Sequence, residues 1–288
     1  VDDAWRDVLG TLAADPETRA ALLEPVRGPG ASRAASYTAW WLREELGGPF
    51  ALGGVPVLRE VPDEVRGLDE AVLVALGGVR DLAALAADEW PDLLEHLPPV
   101  GTPLPAEDAV AVWRALAVLA TRGETLEPPP ERVPALGPGS AAVVVADAAE
   151  VVVAADPMWA PLHRVVPAPA GLVEDVADLL DLDVAPGDRE PDGGGVRRAV
   201  PEPVRRTAPG LPSTWWQHAD LRVGGVAVPW WVVGAGEDAR PHATDEHGLA
   251  SALAAAAGRF ALRHVVGEVL RDPDAVEAVL ARAVWADR

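Results

Sequence analysis

The sequence predicts an α+β protein: a helical amino-terminal half, then an α+β half with antiparallel hairpins and long carboxy-terminal helices. Two observations carry this. Over the first 122 residues, apolar side chains recur at the spacing of one helix face. Beyond a Pro-rich stretch, valine runs and a Gly-Gly turn take over, as in paired strands. The expected division is a helical domain at 1–122, a linker at 123–140 and an α+β domain at 141–288.

Taken in order, Asp2 or Asp3 can cap a first helix with the stripe Trp5, Val8, Leu9 and Leu12. Asp15-Pro16-Glu17 supplies an N-cap, a first-turn proline and a first-turn acid for a second helix reaching about Leu23. A third is expected from Ser32 to Leu46, carrying Tyr37, Trp40 and Trp41 and ended by Gly47-Gly48-Pro49. Shorter helices are expected at 68–76 and 87–96. A strong one runs from Pro105 to about Thr121, apolar on more than one face and so deeply buried.

Pro128-Pro129-Pro130 and Gly137-Pro138-Gly139 mark the linker. Val143-Val144-Val145 and Val151-Val152-Val153 read as a hairpin or as two sequential buried strands. Asp156-Pro157-Met158-Trp159 reads as a capped helical turn, and 172–180 as a helix. A second hairpin turns at Gly224-Gly225, its second strand running from Val226 to Val233 past Pro229. One long helix is expected from Asp245 to Leu270. Asp272-Pro273-Asp274 then caps the last helix.

Composition removes whole classes of chemistry. The chain has no Lys, Asn, Cys or Ile, and all 24 basic side chains are Arg. A phosphate-loop lysine, a Schiff base, a thiolate nucleophile and a thiolate metal site are therefore out of reach. The same absences follow from GC-rich codons, so the lack of Cys says little about redox compartment. The net charge is −21, shared almost evenly between residues 1–122 and 123–288. Such a chain repels phosphate, and nucleic acid is not an expected partner. Arg197, Arg198, Arg205 and Arg206 form a basic cluster against that background. No apolar run reaches the roughly 20 residues that span a bilayer. A membrane is likewise not expected, and the address read from the sequence is cytoplasmic. Without an initiator Met, the chain reads as a segment of a longer protein or a processed product.

No catalytic constellation emerges, and neither a metal nor a cofactor is expected in this chain. His242 and His247 enclose Asp245 and Glu246, but their spacing of five departs from a helical metal site. Asp245 also has an ordinary use as an N-cap. His264 reads as a hydrogen-bonded core histidine beside Phe260. The pairs Trp40-Trp41, Trp215-Trp216 and Trp230-Trp231 each send neighbouring rings in different directions, so one ring can be core and the other rim. The candidate partner-binding residues are Trp215, Trp216, Trp230, Trp231, His242, Asp245 and His247: aromatic area to anchor a partner, polar groups to orient it.

The order Tyr37-Thr38-Ala39-Trp40-Trp41-Leu42-Arg43, Asp156-Pro157-Met158-Trp159, Trp215-Trp216, Trp230-Trp231 and Gly248-Leu249-Ala250 resembles the C-terminal region of actinobacterial sacsin-type ATP-binding, chaperone-like proteins. The resemblance covers most of the chain. It implies a non-catalytic accessory region whose partner is an upstream ATP-binding domain of the same polypeptide. The nucleotide site does not carry over, because it needs an Asn/Glu helix and a DxGxG loop that this sequence lacks. Other readings are a stand-alone enzyme or small-molecule binding domain, or a Trp-mediated binder of glycan or peptide.

Overall fold

Helices α1 (Asp3–Ala14) and α2 (Pro16–Leu23) open the chain in a computed structural model that describes residues 3–24, 26–27, 33–34, 36–139, 142–187 and 189–286. The Asp15 carboxylate accepts from the Thr18 backbone N–H at 2.9 Å, the expected cap of α2. Short strands β1 (Val26–Arg27) and β2 (Arg33–Ala34) pair antiparallel. Helix α3 (Tyr37–Leu46) is capped by Ser36, and Gly47 closes it at φ 63°. The expected start at Ser32 and a cap at Asp2 lie outside the described residues.

Strand β3 (Phe50–Ala51) pairs parallel with β4 (Gly78–Val79), with α4 (Glu70–Ala75) between them in sequence. Helix α5 (Trp90–Glu95) and strand β5 (Pro103–Leu104) lead to α6 (Ala106–Ala120). Ala109, Val112, Ala115, Leu116 and Leu119 of α6 are all buried, and they cover more than one face, as the pattern predicts.

The stretch at 123–140 differs from the expected linker. It contains β6 (Arg132–Leu136), which pairs antiparallel with β7 (Val143–Asp147) along its whole length. Pro134 sits inside β6, and prolines and glycines flank it, so the local signals of a break hide a strand settled by its partner. Strand β5 takes the other edge of β7. Strand β8 (Val151–Ala154) does not pair with β7, so the valine runs are sequential strands rather than a hairpin.

Next come β9 (Arg164–Pro167), α7 (Val173–Leu180), β10 (Asp183–Val184), β11 (Val196–Ala199), α8 (Glu202–Arg205) and β12 (Thr214–Gln217). The Gly-Gly turn joins β13 (Arg222–Val223) to β14 (Val226–Ala227), with φ 57° at Gly224 and 81° at Gly225. Both glycines are left-handed, the geometry that matches hairpin twist. The expected second strand breaks at Pro229, which has no N–H for a ladder. Beyond it β15 (Trp230–Val233) pairs instead with β16 (Arg240–Ala243).

The long helix expected from Asp245 to Leu270 is two helices, α9 (Glu246–Ala256) and α10 (Arg263–Arg271). Gly258 stops α9 at φ 65°, its N–H bonded to Ala255 O and the Arg259 N–H to Ala254 O. The chain then reverses, so Gly267 of α10 packs beside the Ala250 methyl. Helix α11 (Val276–Ala286) is the last described element.

Two compact units result, and neither is continuous. One takes 1–136, 142–153 and 171–183; the other takes 137–141, 154–170 and 184–288. One crossing between the units, at 136/137, falls inside the Pro-rich stretch, and the other four lie beyond it. In the first unit, Leu9, Leu22, Leu42, Phe50, Val65 and Leu76 belong to one core. In the second, Trp230, Leu249, Leu253, Val266 and Val269 do.

Gly258→Ala isolates the cost of the helix break, because space around that Cα is open. Forcing an L-residue into the left-handed region is expected to cost about 1–2 kcal/mol. A lower urea midpoint would register it; an unchanged midpoint would show that the α9–α10 turn does not need glycine.

Candidate functional site

In the second unit a four-stranded sheet has the order β11-β12-β16-β15. Its register places one residue from each strand in a single row. Arg197 lies opposite Trp216, Trp216 beside His242, and His242 opposite Trp231. Cross-strand partners point to the same face, so these side chains share one face of the sheet. The Arg197 guanidinium lies over the Trp216 ring at 5.8 Å. Trp216 stacks on His242 with centroids 5.4 Å apart and planes 23° apart. Trp231 is fully buried. Its indole N–H donates to Arg189 O at 2.7 Å, and Trp159 meets its ring edge-on at 4.9 Å. The row runs from solvent at Arg197 to the interior at Trp231.

His218 follows β12 and joins this row from the side. Its Nε2 lies 2.9 Å from His242 Nδ1, with both residues buried. A Cβ added to Gly195 would sit 2.5 Å from that same Nε2, so this position requires glycine. Whichever imidazole donates, the buried His242 Nε2 is left without a partner. Burial pushes His242 down to about 4, helped by His218 and by Arg240, and opposed by Glu190. Arg240 and Glu190 are themselves an ion pair. Burial also lowers His218. Both imidazoles are therefore neutral near pH 7.

The sequence-predicted site residues separate into three settings. Trp230 and Trp231 are core, at 9% and 0% exposure, and Trp230 stacks on Phe260 at 5.6 Å. They offer no area to a partner. Trp215 and Trp216 are half-buried on opposite faces of β12, with Trp215 packed against the core and Trp216 in the row. His242 is buried beside them. Asp245 caps α9, accepting from the Gly248 N–H at 2.7 Å, while His247 is exposed on its first turn. His242 and His247 thus belong to different surroundings, one inside the sheet and one on the helix. Among the described residues, no three His, Asp or Glu side chains gather as a metal site.

Asp245 and His247 instead line a cleft of ≈570 Å³, together with Arg263, His264 and Arg271 of α10. His264 is exposed there rather than in the core, because the break at Gly258 sets a new phase for α10. Sequence reasoning missed the His218–His242 pair. Its signal is the parallel pairing of β12 with β16, which joins residues 26 apart in sequence and leaves no local pattern.

The first unit carries a different surface. On α3 the buried residues are Ala39 and Leu42, and both tryptophans of the pair face outward. Tyr37, Trp40 and Trp41 are 75%, 50% and 38% exposed. Tyr37 and Trp40 are in ring contact at 5.8 Å, and Trp41 meets Trp5 of α1 at 6.2 Å. The expectation of one core ring and one rim ring does not describe this pair.

The buried pair contributes to the acid behaviour of the second unit. A base held below its ordinary value favours the fold while neutral. That contribution is whole above about pH 6.5 and is lost as pH falls toward 4. The loss expected at pH 4 is about 3 kcal/mol. Denaturant midpoints should fall across this window, and the drop should shrink in His242→Phe. An imidazole resonance of His242 titrating above pH 6 would contradict the assignment.

Compared with family models, curated proteins and solved structures, the chain finds no match in any of the three.

Proposed function

We propose that the chain is a non-catalytic interaction region of a larger, sacsin-like ATP-binding protein of chaperone type, acting in the cytoplasm. The aromatic face of α3 is the observation that supports this reading best. Tyr and Trp combine large contact area with few rotatable bonds, and they dominate the hot spots of protein interfaces. Here three such rings crowd one helix face while two small or aliphatic residues, Ala39 and Leu42, hold the helix to its core. The partner proposed for this face is the ATP-binding domain of the same polypeptide. Trp5, on the first helix of the chain, extends the patch toward the amino-terminal side. The charge of −21 argues against nucleic acid as the partner. No helix among the described residues is long and apolar enough to cross a membrane.

A second reading has its own support. The cleft between α9 and α10 sets Asp245 and Glu246 near Arg263 and Arg271, a mixed lining suited to a small polar molecule. Under that reading this chain is a ligand-binding domain, and the α3 face is incidental.

Substituting Trp40 and Trp41 with Ala separates the two. Trp40 is half exposed, so its loss should barely move the melting temperature, whereas Trp41 also gives up its contact with Trp5 and should lower it modestly. Binding to the ATP-binding domain, followed by calorimetry, should weaken by more than about 1 kcal/mol for each hot-spot ring. Undiminished binding would remove α3 from the interface. Titrating ATP into residues 1–288 alone should give no heat at micromolar concentration; a saturating isotherm would place nucleotide chemistry in this chain and overturn the accessory reading.

A further inference from the structure

Strand β11 is an edge: it pairs with β12 on one side, and no strand among the described residues pairs with the other. All four of its residues are exposed, Val196 at 57%. The Val200 N–H donates to Ser213 O at 2.9 Å. Antiparallel ladders alternate every second residue, so Arg198 and Val196 also turn their backbone groups toward β12. The N–H and C=O of Arg197 and Ala199 therefore point away from the sheet. They form an open half-ladder of two donors and two acceptors.

The side chains on this edge differ from five other arginines of the unit, Arg205, Arg206, Arg222, Arg240 and Arg282, which sit in ion pairs. Arg197 instead lies over Trp216, and Arg198 donates to the Gln217 side-chain oxygen at 3.2 Å. Among the described residues neither makes an ion pair. Arg263 and Arg271 also lack an acid partner among the described residues, but Arg197 and Arg198 are adjacent on one open strand edge, in a chain with 45 acids and 24 bases. At physiological salt the Debye length is about 8 Å, so an approaching chain feels these two cations more than the distant acidic surface.

We propose that the outer edge of β11 binds an extended acidic segment of another protein by strand addition. Main-chain bonds to Arg197 and Ala199 fix the added strand, and Arg197 and Arg198 select its charge. Because consecutive residues face opposite sides of a sheet, the two arginines call for two adjacent acidic residues, one answering each. A second copy of β11 does not fit, since pairing the edges would set arginines against arginines. This surface lies on a different unit from α3 and takes a different ligand.

The probe is a labelled short peptide of Val and Thr around a central Glu-Glu, titrated into the full chain by fluorescence anisotropy. Saturable binding is expected, together with new hydrogen-exchange protection at the Arg197 and Ala199 amides. Arg197→Ala with Arg198→Ala should weaken binding by about tenfold or more, as expected when charge-assisted contacts are lost. The same peptide with Lys-Lys at its centre, or with N-methylated backbone, should not bind. Trp40→Ala should bind the peptide unchanged, which keeps this result separate from the α3 interface. Absence of binding, equal binding of the Lys-Lys peptide, or binding without protection of those two amides would each overturn the proposal. If the double variant loses its fold by circular dichroism, the two altered peptides decide the matter on the unaltered chain.

Discussion

Strand β16 holds the second unit together. It is paired on both edges, parallel to β12 and antiparallel to β15, and α9 starts within a few residues of its end. That double pairing fixes which residues meet. It brings His242 between Trp216 and Trp231, and it sets Asp245 where its carboxylate can cap α9. A slip of one residue would turn His242 to the opposite face and leave two indoles facing a different strand. The row of stacked rings is thus both a product of the register and a reason it does not slip. The unpartnered His242 Nε2 is the cost of that packing: burying a polar nitrogen without a hydrogen bond is unfavourable, and close stacking offsets it.

Local signals in the sequence were reliable wherever a single segment decided the outcome. Asp15-Pro16-Glu17 capped a helix, Gly224-Gly225 made a hairpin turn, and the multi-faced apolar pattern of 106–120 marked a buried helix. The α+β class followed from those signals. What escaped was set by distant partners or by one residue of small size. Strand β6 formed within a Pro-rich stretch because β7 offered a full-length ladder. Gly258 split a helix whose apolar spacing continued across the break. The site was less legible than the fold. Trp215 and Trp216 were recognisable as residues of mixed exposure, but nothing near His218 signals His242. Burial of Trp230 and Trp231 follows from cover on both faces of β15, Trp230 in the α9 core against Phe260 and Trp231 against Trp159, a tertiary fact.

The charge pattern connects these levels. Exposed ion pairs such as Arg205–Glu202 and Arg282–Glu268 add little stability, commonly under about 1 kcal/mol. Their larger effect is to cancel each other's fields, so an arginine left without an acid stands out electrostatically. Arg197 gains attraction from the Trp216 ring instead, which holds the cation in place without cancelling its charge. The planar guanidinium suits both jobs, stacking on an indole while its edge remains free to donate. A chain built with arginine as its cation has this option at every basic position.

The interleaving of the two units has a consequence for how the protein is made. The first unit needs residues 171–183, so a nascent chain cannot finish it when the long helical stretch ends near residue 120. In the meantime β7 and its valines must wait near the ribosome, or pair with β6 before α7 arrives. The polypeptide crosses between the units five times. A single protease cut in any one crossing would leave each unit still tied to the other by the remaining segments. Vectorial synthesis therefore delivers these units as interdependent pieces, with α9–α11 the last large block to be added.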